Sequence, residues 1–587
     1  MKEKLLPRKG AESATQKESG NVQRSTFNFQ RPEARSFDVG RWTLNVERFP
    51  FESFAPSCGK SCLLSLFLLL SLASPVGAHI GSPNVIFEGK AGPHPVRVVV
   101  RPPEVVPGLA EISVRALGPG VTRVAVLPVF WRVGKGGTPP PDIAQPVRGE
   151  TNLYTATLWL MTPGAYSVHV SVEGTGGTGE VMVPVNNVAL VRKEMVPAFA
   201  TMLVVLGVIL FIAAVRLVGA AWGESVLKPE EEIAGPVRIR STLAMIASTM
   251  LFTGMVVGGK SWWDSVDRDF RTNRLYRPLP VLTEVFTTNG QPVLRLRVDT
   301  SGAGMRHWTP LAPDHGKLMH LFLIRDEEPD TFAHLHPVQR NATTFEAALP
   351  PLPPGRYSVI ADVSHESGFT QTLTAKADLP EPSASFANVP RRAGASDPFC
   401  GVPVRRATGD DSVTAFDADD SWHFGEPQPA SAPDSCRLPG GYVMQWERSG
   451  ALMTKREAPL RFKVLKPDGS PALLEPYIGM NGHAAVRRAD GNVFAHLHPV
   501  GTISMAAQEV FAKREVNREK QDGKAARVET KELVPATGRP PHADGLTDTV
   551  AFPYEFPSAG RYRLWIQVKR EGRVLTGVFD AEVVDGK

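Results

Sequence analysis

The chain has 587 residues, room for about three or four domains with separate cores, and its 52 glycines and 52 prolines beside short Val- and Thr-rich runs favour turn-linked β modules over a helical bundle. The net charge of +5 is small, and residues 1–60 supply most of it, with 11 Lys/Arg against 7 Asp/Glu. No basic stripe interleaved with aromatics occurs elsewhere, which excludes nucleic acid as a partner.

Residues 1–60 are expected to form a disordered extension. Segment 61–78 contains the apolar run CLLSLFLLLSLA after Lys60 and ends in Ser-Pro-Val-Gly-Ala, so it reads as a signal peptide. Small residues at Val76 and Ala78 place His79 as the first mature residue. Residues 79–190 carry runs such as Val96–Val100 and Tyr166–Val172 at spacings suited to a small β-sandwich. Alternation in YSVHVSV turns His169 away from the valine face, towards solvent or a site. An amino-terminal His79 offers amine and ring to one metal ion and resembles the copper brace of CopC-type periplasmic copper carriers, with His94 or His169 as further ligands. The module is also similar to the YtkA-like family of extracytoplasmic sandwiches, on the phrases Val100-Arg101-Pro102-Pro103, Pro107-Gly108-Leu109-Ala110-Glu111 and LWLMTPG over 158–164.

Residues 196–215 form an uncharged run of spanning length, and 241–259 a second one, followed by Trp262 and Trp263 where an interfacial belt belongs. Two transmembrane helices are therefore expected. Arg216, Lys228, Arg238 and Arg240 make 216–240 the cytoplasmic loop, so both flanking regions lie outside. Buried helices of a soluble protein are the alternative, disfavoured because charge-free runs of this length rarely sit in globular cores.

The second exported region holds an internal repeat. LMHLFLIRDEEPDTFAHLHPV ends at Val338 and GMNGHAAVRRADGNVFAHLHPV at Val500, and PGRYSVIADV downstream of the first matches AGRYRLWIQV downstream of the second. Two homologous β-sandwiches follow, 270–380 and 442–587, the latter with a charged insertion at 506–545 in which Lys513–Lys524 suits a helix. The irregular linker 381–441 joins them. In a strand, residues two apart share a face, so His334 pairs with His336 and His496 with His498, and each hairpin folds His320 or His483 against its pair. Such thiolate-free groups suit Cu(II) or Zn(II), and Met319, Met480 or Met505 would add a thioether that favours Cu(I). The competing reading makes these histidines architectural. Cys58 and Cys62 precede the signal cleavage point, leaving Cys400 and Cys436, which form a disulfide in an oxidising compartment.

The sequence thus reads as mainly β, with several extracytoplasmic β-sandwich domains, Ig-like or cupredoxin-like, plus two transmembrane helices. The resemblance to membrane-anchored secreted bacterial proteins with YtkA-like and cupredoxin-like ectodomains implies copper handling or storage. The alternative is a structural or protein-interaction ectodomain of the cell envelope. Partners in either case are the lipid bilayer, metal ions and another envelope protein. No hydrolase, metalloprotease or nucleotide motif occurs, and no carboxylate is placed to serve as a catalytic base.

Overall fold

A computed structural model describes residues 84–223, 231, 234–301, 308–326, 329–381, 416–427, 430, 434–448, 450–521 and 547–586. The signal segment, His79 and Cys400 lie outside the described residues. The fold is mainly β, built from several sheets, with two long apolar helices.

The first module sets a five-stranded sheet (Val85–Ala91, His94–Arg101, Gly108–Ala116, Leu153–Leu160 and Gln145–Pro146) against a four-stranded one (Asp142–Ile143, Val121–Phe130, Gly164–Gly174 and Gly177–Asn187). Their alternating valines meet in one core, with Val98, Val100 and Ile112 from the first sheet and Val126, Val170 and Val183 from the second. Met480, Val500 and Ile503 of the second repeat complete that core, so the module is joined to the repeats by burial. Arg97 reaches Glu457 at 2.9 Å and Arg101 reaches Glu555 at 2.7 Å across the same contact. Gly501, at φ +118°, is required there, because a Cβ would collide with the Ile86 carbonyl.

The helices span Pro197–Gly223 and Gly235–Asp269, the latter continuing through a π turn at Phe270–Arg274. Each is long and apolar enough to cross a membrane. Their side chains are almost all exposed, except where Gly219 and Gly223 meet Met245 and Ser241 and the Ser241 hydroxyl donates to the Gly219 carbonyl at 2.7 Å. Both helices outrun the apolar segments that mark them in the sequence. The expected loop at 216–240 is helical over 216–223 and 235–240, because backbone hydrogen bonding continues into charged flanks that hydrophobicity excludes.

Each repeat also pairs two sheets. In the first, Val281–Thr288, Gln291–Val298, Thr344–Ala348 and Val338–Asn341 form one sheet. Leu311–Ala312, Gly355–His365, His320–Arg325, Thr331–Leu335 and Ser421–Phe424, with Thr370–Leu379 beside Gly355–His365, form the other. In the second repeat the corresponding sheet runs Leu452–Met453, Arg573–Val584, Gly560–Arg570, His483–Arg488 and Phe494–Leu497.

Two segments expected to be irregular contribute ordered elements. The linker supplies the Ser421–Phe424 strand, with Trp422 opposite Ala333 and buried in the first repeat's core, and the Ser435–Arg437 strand of the second repeat. The insertion begins with a helix at Met505–Gln521, whose Phe511 and Ala512 pack on Ala165 and Met182 of the first module. Its charged composition concealed a narrow apolar stripe that another module buries.

The two repeats meet through the outer faces of their larger sheets. Phe322, Ile324, Phe332 and Ile360 of the first bury against Ala485, Phe494, Trp565 and Val578 of the second. Phe332 and Trp565 stack with centroids 4.9 Å apart and planes 12° apart. This contact positions everything that follows.

Candidate metal centre

Alternation aims the histidines into the contact between the repeats. In the His320–Arg325 strand, Leu321 and Leu323 face the first repeat's own core, while His320, Phe322 and Ile324 face the second repeat. The return strand does the same, with Leu335 inward and Phe332 and His334 outward. Register then brings His336 beside His320, one step beyond the paired Leu321 and Leu335, with ring centroids 5.2 Å apart. The second repeat places His483 beside His498 in the same way, beyond the paired Ala484 and Leu497, at 5.0 Å. One half of the interface is therefore aromatic and aliphatic, and the other is imidazole.

His320, His334 and His336 bring one ligand atom each within 4.8 Å of the others. His320 Nδ1 and His334 Nε2 stand 3.1 Å apart, close to the ~3.3 Å between neighbouring nitrogens of a tetrahedral ion with bonds of about 2.0 Å. The opposite nitrogen of each ring is anchored. His336 Nδ1 faces Asp420 Oδ1 at 3.0 Å, His334 Nδ1 faces Gln567 Oε1 at 3.0 Å, and His320 Nε2 faces the Asp314 carbonyl at 3.4 Å. Acceptors behind each ring are the usual device for fixing the tautomer and orientation of a metal ligand. Asp420 is itself held, accepting the backbone N–H groups of His336 and Asp417 at 2.8 Å each.

A second group unites His315, His483 and His498. Here the structure replaces the expected His496 by His315, which precedes the His320–Arg325 strand of the other repeat. His496 lies between the groups instead, with centroids 5.2 Å from His320, 5.5 Å from His483 and 4.6 Å from His498. Its Nδ1 is 3.5 Å from Asp362 Oδ2. His498 Nδ1 faces the Ile503 carbonyl at 3.0 Å. Among the described residues, six buried ring nitrogens of the centre find no hydrogen-bond partner: His315 Nε2, His336 Nε2, both of His483, His496 Nε2 and His498 Nε2. Buried polar atoms without partners are rare and costly, so their convergence demands an explanation.

Burial depresses the basicity of His320, His334, His483 and His498 well below that of an ordinary imidazole, and neighbouring histidines push in the same direction. His315 shifts the same way, again through burial, against the pull of Asp314. Neutral rings are the form that binds metal. Burial raises Asp420 above an ordinary carboxyl although His336 opposes it, and raises the Tyr477 phenol, whose oxygen is 3.3 Å from His334 Nδ1.

The remaining histidines stand apart. His169 is buried rather than solvent-facing, with Nδ1 2.6 Å from Glu180 and Nε2 3.1 Å from the Ser167 hydroxyl, because the Met505–Gln521 helix covers this side of the module. His94 Nε2 faces the Gly177 carbonyl at 2.9 Å. Met319 packs inside the first repeat and Met480 and Met505 against the first module, so none of the three supplies the expected thioether. Met319 adjoins His320 in sequence and so points to the opposite face. Cys436 is buried in the Ser435–Arg437 strand.

Sequence reasoning missed His315, Asp420 and Gln567. His315 carried no HxH pattern, and Asp420 sits in a linker of low-complexity composition. Gln567 was findable, since it occupies the place of Asp362 in the matched AGRYRLWIQV and PGRYSVIADV segments. A cleft of about 490 Å3 adjoins the centre, and His320, His496, His498 and Asp362 line it together with Leu190 and Tyr276, residues close in sequence to the two long apolar helices. That volume matches a small-molecule site.

Residues 437–585 match the model of a domain of unknown function, DUF8832. No curated protein matches the chain. Among solved structures, the methylamine-reacted α2-macroglobulin of Salmonella aligns at 9% identity over 87% of this chain and 24% of its own, with a TM-score of 0.17. The latent dimeric PorU of Porphyromonas gingivalis aligns at 8% identity over 86% of this chain and 34% of its own, with a TM-score of 0.12. A candidate membrane-anchored protein of Corynebacterium diphtheriae aligns at 9% identity over 86% of this chain and 96% of its own, also at 0.12. The chain spans about a quarter of the α2-macroglobulin. Likeness at these scores carries no functional argument.

Proposed function

We propose that this is a membrane-anchored extracytoplasmic protein that handles or stores a metal ion, copper in the first place and zinc in the second, on His320, His334 and His336. The observation that carries the reading is the triad itself: three buried imidazoles converge, and each has its far nitrogen held by Asp314, Gln567 or Asp420. An all-imidazole set without thiolate or thioether suits Cu(II) and Zn(II). The YtkA-like and cupredoxin-like resemblance points the same way.

Topology supports the placement. Two spanning helices return the chain to the side it left, and the regions before and after them pack into one body through Ala189 and Leu275, Arg97 and Glu457, and Phe87 and Gly501. They therefore share one side. The signal-like run at 61–78 and the basic residues Arg216, Arg238 and Arg240 favour the extracytoplasmic side for both.

Metal content of the full chain in detergent, measured by elemental analysis and by Cu(II) and Zn(II) titration, tests the reading. Wild type should hold tightly bound ion, and His334→Ala, with its fold verified by circular dichroism, should lose the triad's share. A wild type that binds neither ion would overturn the reading and leave the architectural one.

A further inference from the structure

Aligning the repeats on their histidines superposes two tight turns. Asp314–Lys317 precedes His320 by the same interval at which Tyr477–Met480 precedes His483, and each turn is closed by reciprocal backbone bonds. Both place two residues in the left-handed region, His315 (φ 51°) and Gly316 (φ 82°) in one, Ile478 (φ 47°) and Gly479 (φ 75°) in the other. A type I′ geometry of this kind favours Asn or Gly at the first of these positions. Histidine there spends conformational energy, and what it gains is a ring delivered across the repeat boundary, with its centroid 5.8 Å from His483 and 5.3 Å from His498.

We infer that the centre holds two ions, the second seated on His315, His483 and His498 and so shared between the repeats. The inference rests on the proposed metal-binding reading and extends it to a site that the sequence repeat does not generate. Three of the orphaned nitrogens belong to these rings, His483 Nδ1 and Nε2 and His498 Nε2, and His315 Nε2, which also makes no hydrogen bond among the described residues, stands 3.5 Å from Asp314 Oδ1. His498 has its far nitrogen on the Ile503 carbonyl, the same second-contact arrangement that orders the first triad. Lys317, the lysine of this turn, is engaged by Asp417 at 2.5 Å. The two triads adjoin, since His334 and His483 have ring centroids 6.3 Å apart and His496 touches rings of both.

The pseudo-symmetry also shows why the second triad needs a foreign residue. The place of His315 in the second repeat belongs to Ile478, so only one of the two turns contributes an imidazole. The first triad lies within one repeat and takes Gln567 from the other as an anchor, whereas the second takes a ligand itself across the boundary. Binding of the second ion therefore fastens the repeats together.

The test is the stoichiometry of the full-length protein in detergent, titrated with Cu(II) and separately with Zn(II), against two variants. His315→Gly removes the ring and leaves the residue best suited to the left-handed backbone, so the fold survives. His498→Ala removes a ligand from the other repeat. Wild type should bind two ions per chain, and each variant one. With two Cu(II) bound, the wild-type electron paramagnetic resonance spectrum should show coupling that both variants lack. A single ion in wild type, or two ions retained by His315→Gly, would overturn the inference while leaving the first triad standing. Absence of any ion in wild type would remove the reading beneath it as well.

Discussion

The interface between the repeats has two halves made by the same strands. In the aromatic half, Phe322, Phe332, Phe494 and Trp565 are excluded from water. Two residues along, His320, His334 and His483 lie on the same faces and are just as buried, and His496 is partly buried, yet orphaned nitrogens remain. Each large apolar side chain contributes about 1.5–3 kcal/mol on burial, while each unsatisfied polar group costs about 1–3 kcal/mol. One half fastens the repeats, and the other draws on that stability to keep the imidazoles aligned. The difference teaches that a ligand set is recognised by unmet need as much as by proximity. His94 and His169 are equally buried, but each has its own hydrogen-bond partner and neither joins the centre.

Breaking the aromatic half should have the largest effect. Trp565→Ala is expected to destabilise the paired repeats by about 3–5 kcal/mol in urea unfolding, with unchanged metal content in the protein that stays folded. Loss of metal without loss of stability would reverse the roles given to the two halves. Filling the histidine half should stabilise: free Cu(II) or Zn(II) at 100 times its dissociation constant adds about 2.7 kcal/mol to the unfolding free energy, and chelation should remove it. A melting temperature indifferent to metal would place the ions elsewhere. Asp420→Asn weakens the acceptor behind His336 and should lower affinity by about 10–100-fold with little change in unaided stability.

The smallest effect sharpens the contrast with a satisfied histidine. Burial raises the Glu180 carboxyl, but hydrogen bonding to His169 and the charge of Lys135 outweigh it and bring it down to about 2. A depressed carboxyl stabilises the fold above its unfolded value near 4.5, and that contribution fades as the pH falls towards 2. Glu180 is 38% exposed, so solvent screening reduces the contribution to about 1 kcal/mol. Glu180→Gln should therefore cost about that much at pH 7 and nearly nothing at pH 2, with metal content unaffected.

Much of this was legible in the sequence because period-two strands and repeats are local signals. The FAHLHPV phrase and the single histidine upstream identify strands whose histidines share a face, and the first triad follows from that alone. The packing of one repeat on the other was not legible, since no local pattern says that Phe322 will meet Phe494. Everything that depends on that contact was missed for the same reason: His315 as partner to His483, Gln567 behind His334, and Asp420 carried in by a strand from the linker. The helix ends were misjudged because apolar runs mark the lipid-facing part of a helix and not its backbone limits.

X-ray absorption at the copper or zinc edge of the metal-loaded full-length protein tests the central claim most directly. The account predicts a first shell of nitrogen or oxygen at about 2.0 Å, with the outer-shell scattering of several imidazoles and no sulfur near 2.3 Å. A sulfur shell, or a spectrum without imidazole scattering, would contradict it.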